Sequence, residues 1–211
     1  MKTVLITGAT SGIGEACARR FARGGYRLVL TGRNEEKLKA LREELETTGA
    51  EVCSLVFDVR DREAATAAMA SLDLVPDVLI NNAGLALGLE KEYEGDYKDW
   101  DTMIDTNIKG LLTMTRLVVP RMVEQGRGHI INIGSVAGDA AYANGNVYCA
   151  TKAAVKALSD GLRIDLAETH KLMRQKRVKD ELRIRNGQHN WEYWHQAIRI
   201  ALPFASRNFD R

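Results

Sequence analysis

The sequence predicts an α/β protein with a doubly wound parallel sheet, in which helices cover both faces of the sheet. Two observations predict this fold. Short, β-branched apolar runs alternate with helical patterns from residue 2 to about residue 168. The apolar runs are also nearly continuous, as expected for parallel strands buried on both faces. The predicted fold is therefore of the Rossmann type, in which ligands bind beyond the carboxyl ends of the strands.

Each predicted element has a local sequence basis. The strands are short and bounded by Gly, Asn or Asp, and the helices carry an amphipathic pattern. Asn34 is a candidate N-cap, and Pro120 predicts a local kink or a missing hydrogen bond. The predicted strands are Lys2–Thr7, Arg27–Thr31, Glu51–Phe57, Val78–Asn81 and His129–Ile133. The predicted helices are Gly14–Arg23, Glu35–Thr47, Glu63–Leu72, Tyr97–Glu124 and about Val147–Glu168.

Composition points to an ordinary globular protein, with 45% hydrophobic and 27% charged residues among 211. Cys17, Cys53 and Cys149 are odd in number and widely spaced, which argues against a disulfide framework or a zinc site. The first residues predict a β-strand rather than a signal peptide, and no apolar run is long enough to cross a bilayer. We therefore expect a soluble, cytoplasmic protein without a metal.

The charge is distributed unevenly along the chain. Residues 170–211 contain ten Lys/Arg and four Asp/Glu, whereas the preceding residues contain twenty and twenty-four. The β-α alternation also stops near residue 168. These changes predict a dinucleotide-binding and catalytic domain at 1–168 and an atypical basic tail at 169–211.

A glycine-rich turn follows the first strand and opens the first helix. Its glycines let the backbone turn tightly and approach a pyrophosphate, and the helix N-terminus offers N–H groups to that anion. The strand before it and the helix after it favour a cofactor site, although a turn without a ligand is the alternative. The candidate cofactor residues in this turn are Gly8, Thr10, Ser11, Gly12, Ile13 and Gly14.

Arg33 lies at the end of the second strand, where an NAD site usually carries Asp or Glu. An arginine there suits the 2′-phosphate of NADP(H), and a solvated surface arginine is the alternative. Asp58 and Val59 end the third strand, and Asp58 could touch the adenine or simply form a turn. NADP(H) is therefore the predicted cofactor.

Tyr148 and Lys152 lie four residues apart on one predicted helix and so share a face. A lysine cation near a tyrosine favours the phenolate, which lets the tyrosine exchange a proton with a carbonyl or alcohol oxygen. A surface pair on a helix is the alternative, because this spacing is common by chance.

Other polar residues lie where the same site would be. Ser135 follows the fifth strand, and its hydroxyl could hold the reacting oxygen. Asn81, Ala83 and Gly84 end the fourth strand, where small residues leave room for a nicotinamide riboside. Asn107 stands in a predicted helix, where asparagine is poorly favoured, which suggests a polar role.

The motifs TGATSGIG (7–14), NNAG (81–84), DTNIKG with Asn107, INIGS with Ser135 and YCATK (148–152) resemble those of the short-chain dehydrogenase/reductase family in order and spacing. The resemblance covers residues 1–168. It implies that Tyr148 is the acid/base, that Lys152 lowers its pKa and binds the nicotinamide ribose, and that Ser135 orients the substrate. Asn107 would hold a water in a proton relay. More narrowly, the chain resembles the NADP-dependent 3-hydroxy acid (serine or allo-threonine type) dehydrogenases.

The resemblance ends in the tail, where the family's sixth strand, Pro-Gly turn and seventh strand are not recognisable. One hypothesis is a working NADP(H)-dependent oxidoreductase for a small hydroxy acid. The alternative is a truncated, inactive cofactor-binding or interaction protein, as a frameshift or recombination would produce. We expect a small-molecule partner and neither nucleic acid nor membrane, although the basic, Trp-containing tail leaves nucleic-acid binding as the less favoured option. Family members are usually homo-oligomers.

Overall fold

A computed structural model describes residues 1–88 and 90–175, in which strands and helices alternate as predicted. The strands are β1 (Thr3–Ile6), β2 (Arg27–Gly32), β3 (Val52–Val56), β4 (Val78–Asn81) and β5 (His129–Asn132). The helices are α1 (Gly12–Ala22), α2 (Glu35–Glu46), α3 (Arg62–Ala70), α4 (Tyr97–Ile104), α5 (Leu111–Glu124) and α6 (Asn146–Gln175). Short 3₁₀ turns cover Glu92–Glu94 and Val136–Gly138.

The five strands form one parallel sheet in the order β3-β2-β1-β4-β5. The chain order reverses at β1, so β1 and β4 are neighbours at the centre, with Leu5 opposite Leu79 in register. The carboxyl ends of all five strands consequently meet at one edge. In a sheet of this type, the crevice beside that reversal is where ligands bind.

Alternate residues of β1 enter two separate cores. Val4 and Ile6 pack on one face of the sheet with Leu28 and Leu38, all fully buried. Leu5 enters the second core on the opposite face, together with residues of β2, β4 and α5. Strand side chains point alternately to the two faces, so a strand buried on both faces must be apolar at every position. This confirms the predicted doubly wound architecture.

The predicted long helix over 97–124 is interrupted. A π-helical segment, Asp105–Gly110, separates α4 from α5, and Asn107 lies within it. Pro120 supplies no N–H to the helix, yet α5 continues past it to Glu124. The wider π turn therefore lies upstream of the proline and ends at Gly110, a position at which the sequence predicted no interruption.

Helix α6 continues through Gln175, seven residues beyond the predicted end. The proposed domain boundary at residue 168 thus falls inside a helix. Most of the basic tail, and with it the question of later strands, lies outside the described residues. Within residues 1–88 and 90–175, no helix combines the length and apolar character needed to span a bilayer.

Candidate active site and cofactor cradle

The glycine-rich turn after β1 has a backbone that only glycine adopts easily. Gly8 has φ of 64° and Gly12 has φ of 56°, both in the left-handed region. Helix α1 begins at Gly12, and Ser11 precedes it without a side-chain capping bond. The first N–H groups of a helix have no acceptor within the helix. Since Ser11 and Gly12 are exposed, the turn presents these donors to an incoming anion.

Two further residues of the turn are held by packing. Thr10 lies against the end of β2, where a Cβ on Gly32 would come within 2.9 Å of its Cγ2. Ile13 packs against the first core. Its side chain is half-buried, and its predicted contact with a cofactor stays a prediction.

Asn82 holds the glycine-rich turn to the end of β4. Its Nδ2 donates to the carbonyl oxygens of Thr7 (2.9 Å) and Gly8 (3.0 Å). A Cβ on Gly14 would lie 2.4 Å from this Nδ2 and 2.4 Å from the Gly8 oxygen. The Thr7 hydroxyl also accepts from the backbone N–H groups of Asn82 and Ala83, both at 3.0 Å. Thr7 and Asn82 both lie within the motifs recognised in the sequence, but neither was predicted as a site residue.

The side chain of Asn81 is engaged elsewhere. It is buried, and its Nδ2 donates to Thr115 Oγ1 (3.1 Å) and Asn132 Oδ1 (2.9 Å). These bonds tie β4 to β5 and α5. Neither side-chain amide hydrogen of Asn81 is therefore free to contact a cofactor. A contact through its other polar atoms stays a prediction.

Arg33 and Asp58 meet at the carboxyl ends of β2 and β3. Arg33 is exposed, and its NH1 lies 3.6 Å from Asp58 Oδ2. Burial acts to raise the pKa of Asp58, but hydrogen bonds from Arg60 and the charges of Arg60 and Arg33 outweigh it and lower that pKa. Val59 is buried and packs closely against Gly110 of the π-helical segment. Asp58 is thus at the rim of the site, whereas Val59 belongs to the second core.

Lys152 is buried, with 7% of its surface exposed. Its Nζ donates to the Ile133 carbonyl oxygen at 2.9 Å and lies 5.8 Å from the centre of the Tyr148 ring. Burial lowers the pKa of Lys152 to about 8. Tyr148 and Lys152 therefore share one face of α6, as predicted, and the Lys152 side chain points into the protein rather than toward solvent.

The segment that carries Ser135 packs directly on this lysine. Ser135 follows β5, and its Oγ accepts from the Ala137 N–H at 3.2 Å. Two residues later, a Cβ on Gly138 would come within 2.7 Å of the Lys152 carbonyl oxygen. Lys152 therefore contacts the Ser135 segment on both sides, at Ile133 through Nζ and at Gly138 through its backbone. This contact positions the serine beside the Tyr148 helix.

Asn107 is buried in the π-helical segment, and both of its amide hydrogens are used. Its Nδ2 donates to the Leu85 carbonyl (2.9 Å) and to Thr151 Oγ1 (3.0 Å), and its Oδ1 accepts from the Leu85 N–H (2.9 Å). The missing Cβ of Gly84 would lie 3.2 Å from Asn107 Oδ1 and 3.6 Å from Lys152 Nζ. The four predicted catalytic residues thus lie around the carboxyl ends of β4 and β5.

Tyr148 lines a cleft that is bounded on its other side by the chain between β4 and α4. Aromatic and apolar side chains contribute to the cleft, as do several carboxylates at its rim. The lining residues include Trp100, Met103, Tyr142, Glu90, Glu92, Asp96 and Asp99. The cleft is therefore suited to a small molecule whose reacting oxygen meets Tyr148. Sequence analysis identified none of these lining residues.

The arrangement fits a dinucleotide on structural grounds. The glycine-rich turn leaves open backbone at Gly12, where an added Cβ would meet no atom within 4 Å, and Gly84 lets the backbone come close to Asn107 and Lys152. Arg33 lies at the adenosine end of the crevice in this type of fold, and Tyr148 and Lys152 lie across β1 and β4 from it.

Comparison with known proteins agrees with this geometry. The sequence profile of the family described as short chain dehydrogenase matches residues 2–173. The NADP-dependent 3-hydroxy acid dehydrogenase YdfG of Salmonella typhimurium is 56% identical over 171 residues, which are 79% of this chain and 67% of that protein. The predicted fold class, the predicted oxidoreductase class and the predicted NADP cofactor are confirmed.

Solved structures give the same result. The crystal structure of serine dehydrogenase from Escherichia coli is 51% identical, with a TM-score of 0.75, over 78% of this chain and 76% of that one. A short-chain dehydrogenase from Sphingobium yanoikuyae, solved in complex with NADPH, is 38% identical, with a TM-score of 0.74, over 80% and 67%. The chain belongs to the short chain dehydrogenase family.

Proposed function

We propose that this protein is an NADP(H)-dependent oxidoreductase that interconverts a small 3-hydroxy acid and its carbonyl form. The observation that carries the proposal is the buried Lys152 ammonium one helical turn from Tyr148, with the Ser135 segment packed against it. The names of the relatives support the cofactor and the substrate class.

The cofactor would lie across the carboxyl ends of the strands. The backbone N–H groups at the start of α1 would hold its pyrophosphate, and Arg33 would hold its 2′-phosphate. Gly84 would leave room for the nicotinamide ribose beside Lys152. When bound, NADPH supplies the hydride.

Tyr148 and Lys152 would manage the proton. Tyrosine alone is a weak acid at neutral pH, with a usual pKa near 10. A nearby cation favours its phenolate, so Tyr148 can give a proton to the carbonyl oxygen and recover it from the alcohol. Lys152 can supply that cation because its buried amine is still protonated near neutral pH, given a pKa of about 8.

Ser135 would orient the reacting oxygen. Its Oγ already accepts a bond from the Ala137 N–H, which leaves the hydroxyl hydrogen to donate to a substrate oxygen. Asn107 has no free amide hydrogen. If it holds a water for a proton relay, it must therefore do so through an oxygen acceptor, either Oδ1 or its backbone carbonyl.

One experiment tests the proposal: NADPH binding, followed by fluorescence, and turnover measured on the same monodisperse sample of the full chain. We expect saturable NADPH binding, NADPH oxidation with small 3-oxo acids or acid semialdehydes, and NADP⁺ reduction with 3-hydroxy acids. Tyr148→Phe should retain binding and lose turnover. Binding without turnover across the panel would favour the inactive cofactor-binding alternative, and absence of binding would contradict both.

We also propose the division into a catalytic unit, 1–168, and a basic segment, 169–211. Partners would be the small-molecule substrate and further copies of the chain, without nucleic acid. Gel filtration with light scattering measures association with further copies of the chain. Salt-dependent binding of a DNA oligonucleotide, lost when residues 176–211 are removed, would contradict the exclusion of nucleic acid.

A further inference from the structure

A second guanidinium stands beside Arg33 at the carboxyl end of β3. Arg60 NH2 lies 2.7 Å from Asp58 Oδ2, and its Nε lies 3.0 Å from the same oxygen and 3.1 Å from Oδ1. Arg33 NH1 approaches that same Oδ2 at 3.6 Å. Two arginines therefore share one carboxylate oxygen at the rim where the 2′-phosphate is expected.

The carboxylate is the part of this cluster that opposes an anionic ligand. The Asp58 side chain is 22% exposed, so solvent screens it only partly. Without a counter-charge it would both hold Arg33 to itself and repel a phosphate bound there. In the described part of the chain, Arg60 makes the shortest side-chain contacts with Asp58, through two nitrogen atoms, whereas Arg33 lies farther away.

We infer that Arg60 is a specificity-determining positioning residue for NADPH over NADH, acting through Asp58. By neutralising this carboxylate, Arg60 leaves Arg33 available for the 2′-phosphate and removes a repulsive charge from its neighbourhood. The inference rests on the proposed use of NADP(H). Arg60 itself is not required to touch the cofactor.

The geometry makes the effect selective. NADH lacks the 2′-phosphate, so a freed Asp58 carboxylate should scarcely change its binding. A carboxylate about 6 Å from a doubly charged phosphate in a water-like medium weakens binding about tenfold. Arg60→Gln should therefore raise the Kd for NADPH about tenfold and change the Kd for NADH less than about twofold. The loss should shrink in 0.5 M salt, because salt screens exposed charges.

The local backbone should survive the substitution. The Arg60 N–H donates to Asp58 Oδ1 at 2.9 Å, a bond that glutamine keeps. Arg42→Gln is a matched control, because Arg42 on α2 also pairs with a carboxylate, that of Glu46, away from the cofactor crevice. It removes the same charge and frees an acid in the same way, but it should leave the ratio of NADPH to NADH affinity unchanged.

The decisive experiment is a double-mutant cycle on the full chain, with Kd for both cofactors from fluorescence titration. In the Asp58→Asn background, Arg60→Gln should no longer lower the NADPH preference, because no carboxylate remains to be freed. An unchanged affinity ratio in Arg60→Gln, or an equal loss in the Asp58→Asn background, overturns the inference. If the unaltered protein binds neither cofactor, the proposed function fails first, so the two failures are distinguishable.

Discussion

Asn107 Nδ2 donates a hydrogen bond to Thr151 Oγ1 at 3.0 Å, and both side chains are buried. The Thr151 hydroxyl in turn donates to the Tyr148 carbonyl oxygen at 2.8 Å. Asn107 also binds both backbone groups of Leu85. The loop after β4, the π-helical segment and the first turn of α6 are therefore joined through two side chains directly beneath Tyr148.

This junction predicts that Thr151 positions Tyr148, the proposed acid/base. Thr151→Val keeps the shape of the side chain but leaves an amide hydrogen of Asn107 without its acceptor. An unsatisfied buried polar group costs about 1–3 kcal/mol, and relief of that cost should shift α6 at Tyr148. We expect kcat to fall about tenfold or more while the Kd for NADPH changes little, as measured by steady-state kinetics and fluorescence titration.

Thr151→Ser is the rescue variant, because it keeps the hydroxyl, and it should restore most of kcat. Thr113→Val, at a buried threonine of α5, controls for loss of a hydroxyl elsewhere. The pH profile of kcat should shift in Thr151→Val and stay unchanged in the control. Equal kinetics for the valine and serine variants would remove Thr151 from the catalytic arrangement.

Lys152 should make the stability of the protein depend on pH in the alkaline range. Its pKa is about 8 in the folded chain, against an ordinary value of 10.5, because burial disfavours the charged form. Between these values the unfolded chain binds more protons, so stability rises with pH. The penalty is fully present below pH 8, where it amounts to roughly 3 kcal/mol, and is relieved by about pH 10.5.

Lys152→Met removes this penalty but leaves the Ile133 carbonyl without its donor, at a cost of about 1 kcal/mol. The variant should therefore be more stable by about 2 kcal/mol at pH 7, and the gain should approach zero by pH 10. Urea unfolding at both pH values measures it. Lys156→Met is the control, since the Asp139 carboxylate holds the pKa of this exposed lysine above its usual range. A pH-independent gain in Lys152→Met would contradict the burial argument.

The strands and the glycine-rich turn could be predicted because their causes are local. Val4, Leu5 and Ile6 are all apolar because β1 is buried on both faces, a pattern visible along the chain. The π turn at Asp105–Gly110 was not predicted, because the residue pattern there continues that of a helix. Its close contact, between Gly110 and Val59, joins residues that are distant in sequence.

The candidate site likewise contains residues that the local sequence predicts and residues that only tertiary contacts identify. The spacing of Tyr148 and Lys152, together with the motifs that accompany it, predicts both as site residues. Thr151 lies one residue from Lys152 but is recognisable only through its bond to Asn107. Asn81 and Asn82 are adjacent and identical in type, yet Asn81 bonds to Asn132 whereas Asn82 bonds to the glycine-rich turn. Their residue type does not distinguish the two roles. Arg60 resembles any exposed arginine until its carboxylate partner is known to lie beside Arg33.

Asn82→Asp tests whether the hydrogen bonds that the Asn82 amide donates, rather than a polar side chain of the same size, hold the glycine-rich turn. Aspartate has no amide hydrogens, so carboxylate oxygens would face the carbonyl oxygens of Thr7 and Gly8. We expect a loss of about 2 kcal/mol in the free energy of unfolding and clearly weaker NADPH binding. Asn34→Asp adds the same charge at an N-cap where either residue serves, and it should leave the free energy of unfolding nearly unchanged. Similar behaviour of the two variants would mean that Asn82 does not hold the turn.

Two helical glycines should respond oppositely to alanine. On Gly14 a Cβ would meet the Gly8 carbonyl oxygen and Asn82 Nδ2, both at 2.4 Å, and neither can retreat without opening the turn. Gly14→Ala should therefore lose about 3 kcal/mol of stability and most NADPH affinity.

On Gly161, within α6, a Cβ would meet nothing within 4 Å. Gly161→Ala should stabilise the protein by about 0.5–1 kcal/mol, because alanine has less backbone freedom to lose on folding into a helix, and should leave NADPH binding unchanged. Thermal unfolding and fluorescence titration of both variants provide the measurement. A stable, NADPH-binding Gly14→Ala protein would show that the close approach between α1 and the end of β4 is not needed, and the cofactor cradle would have to be assigned differently.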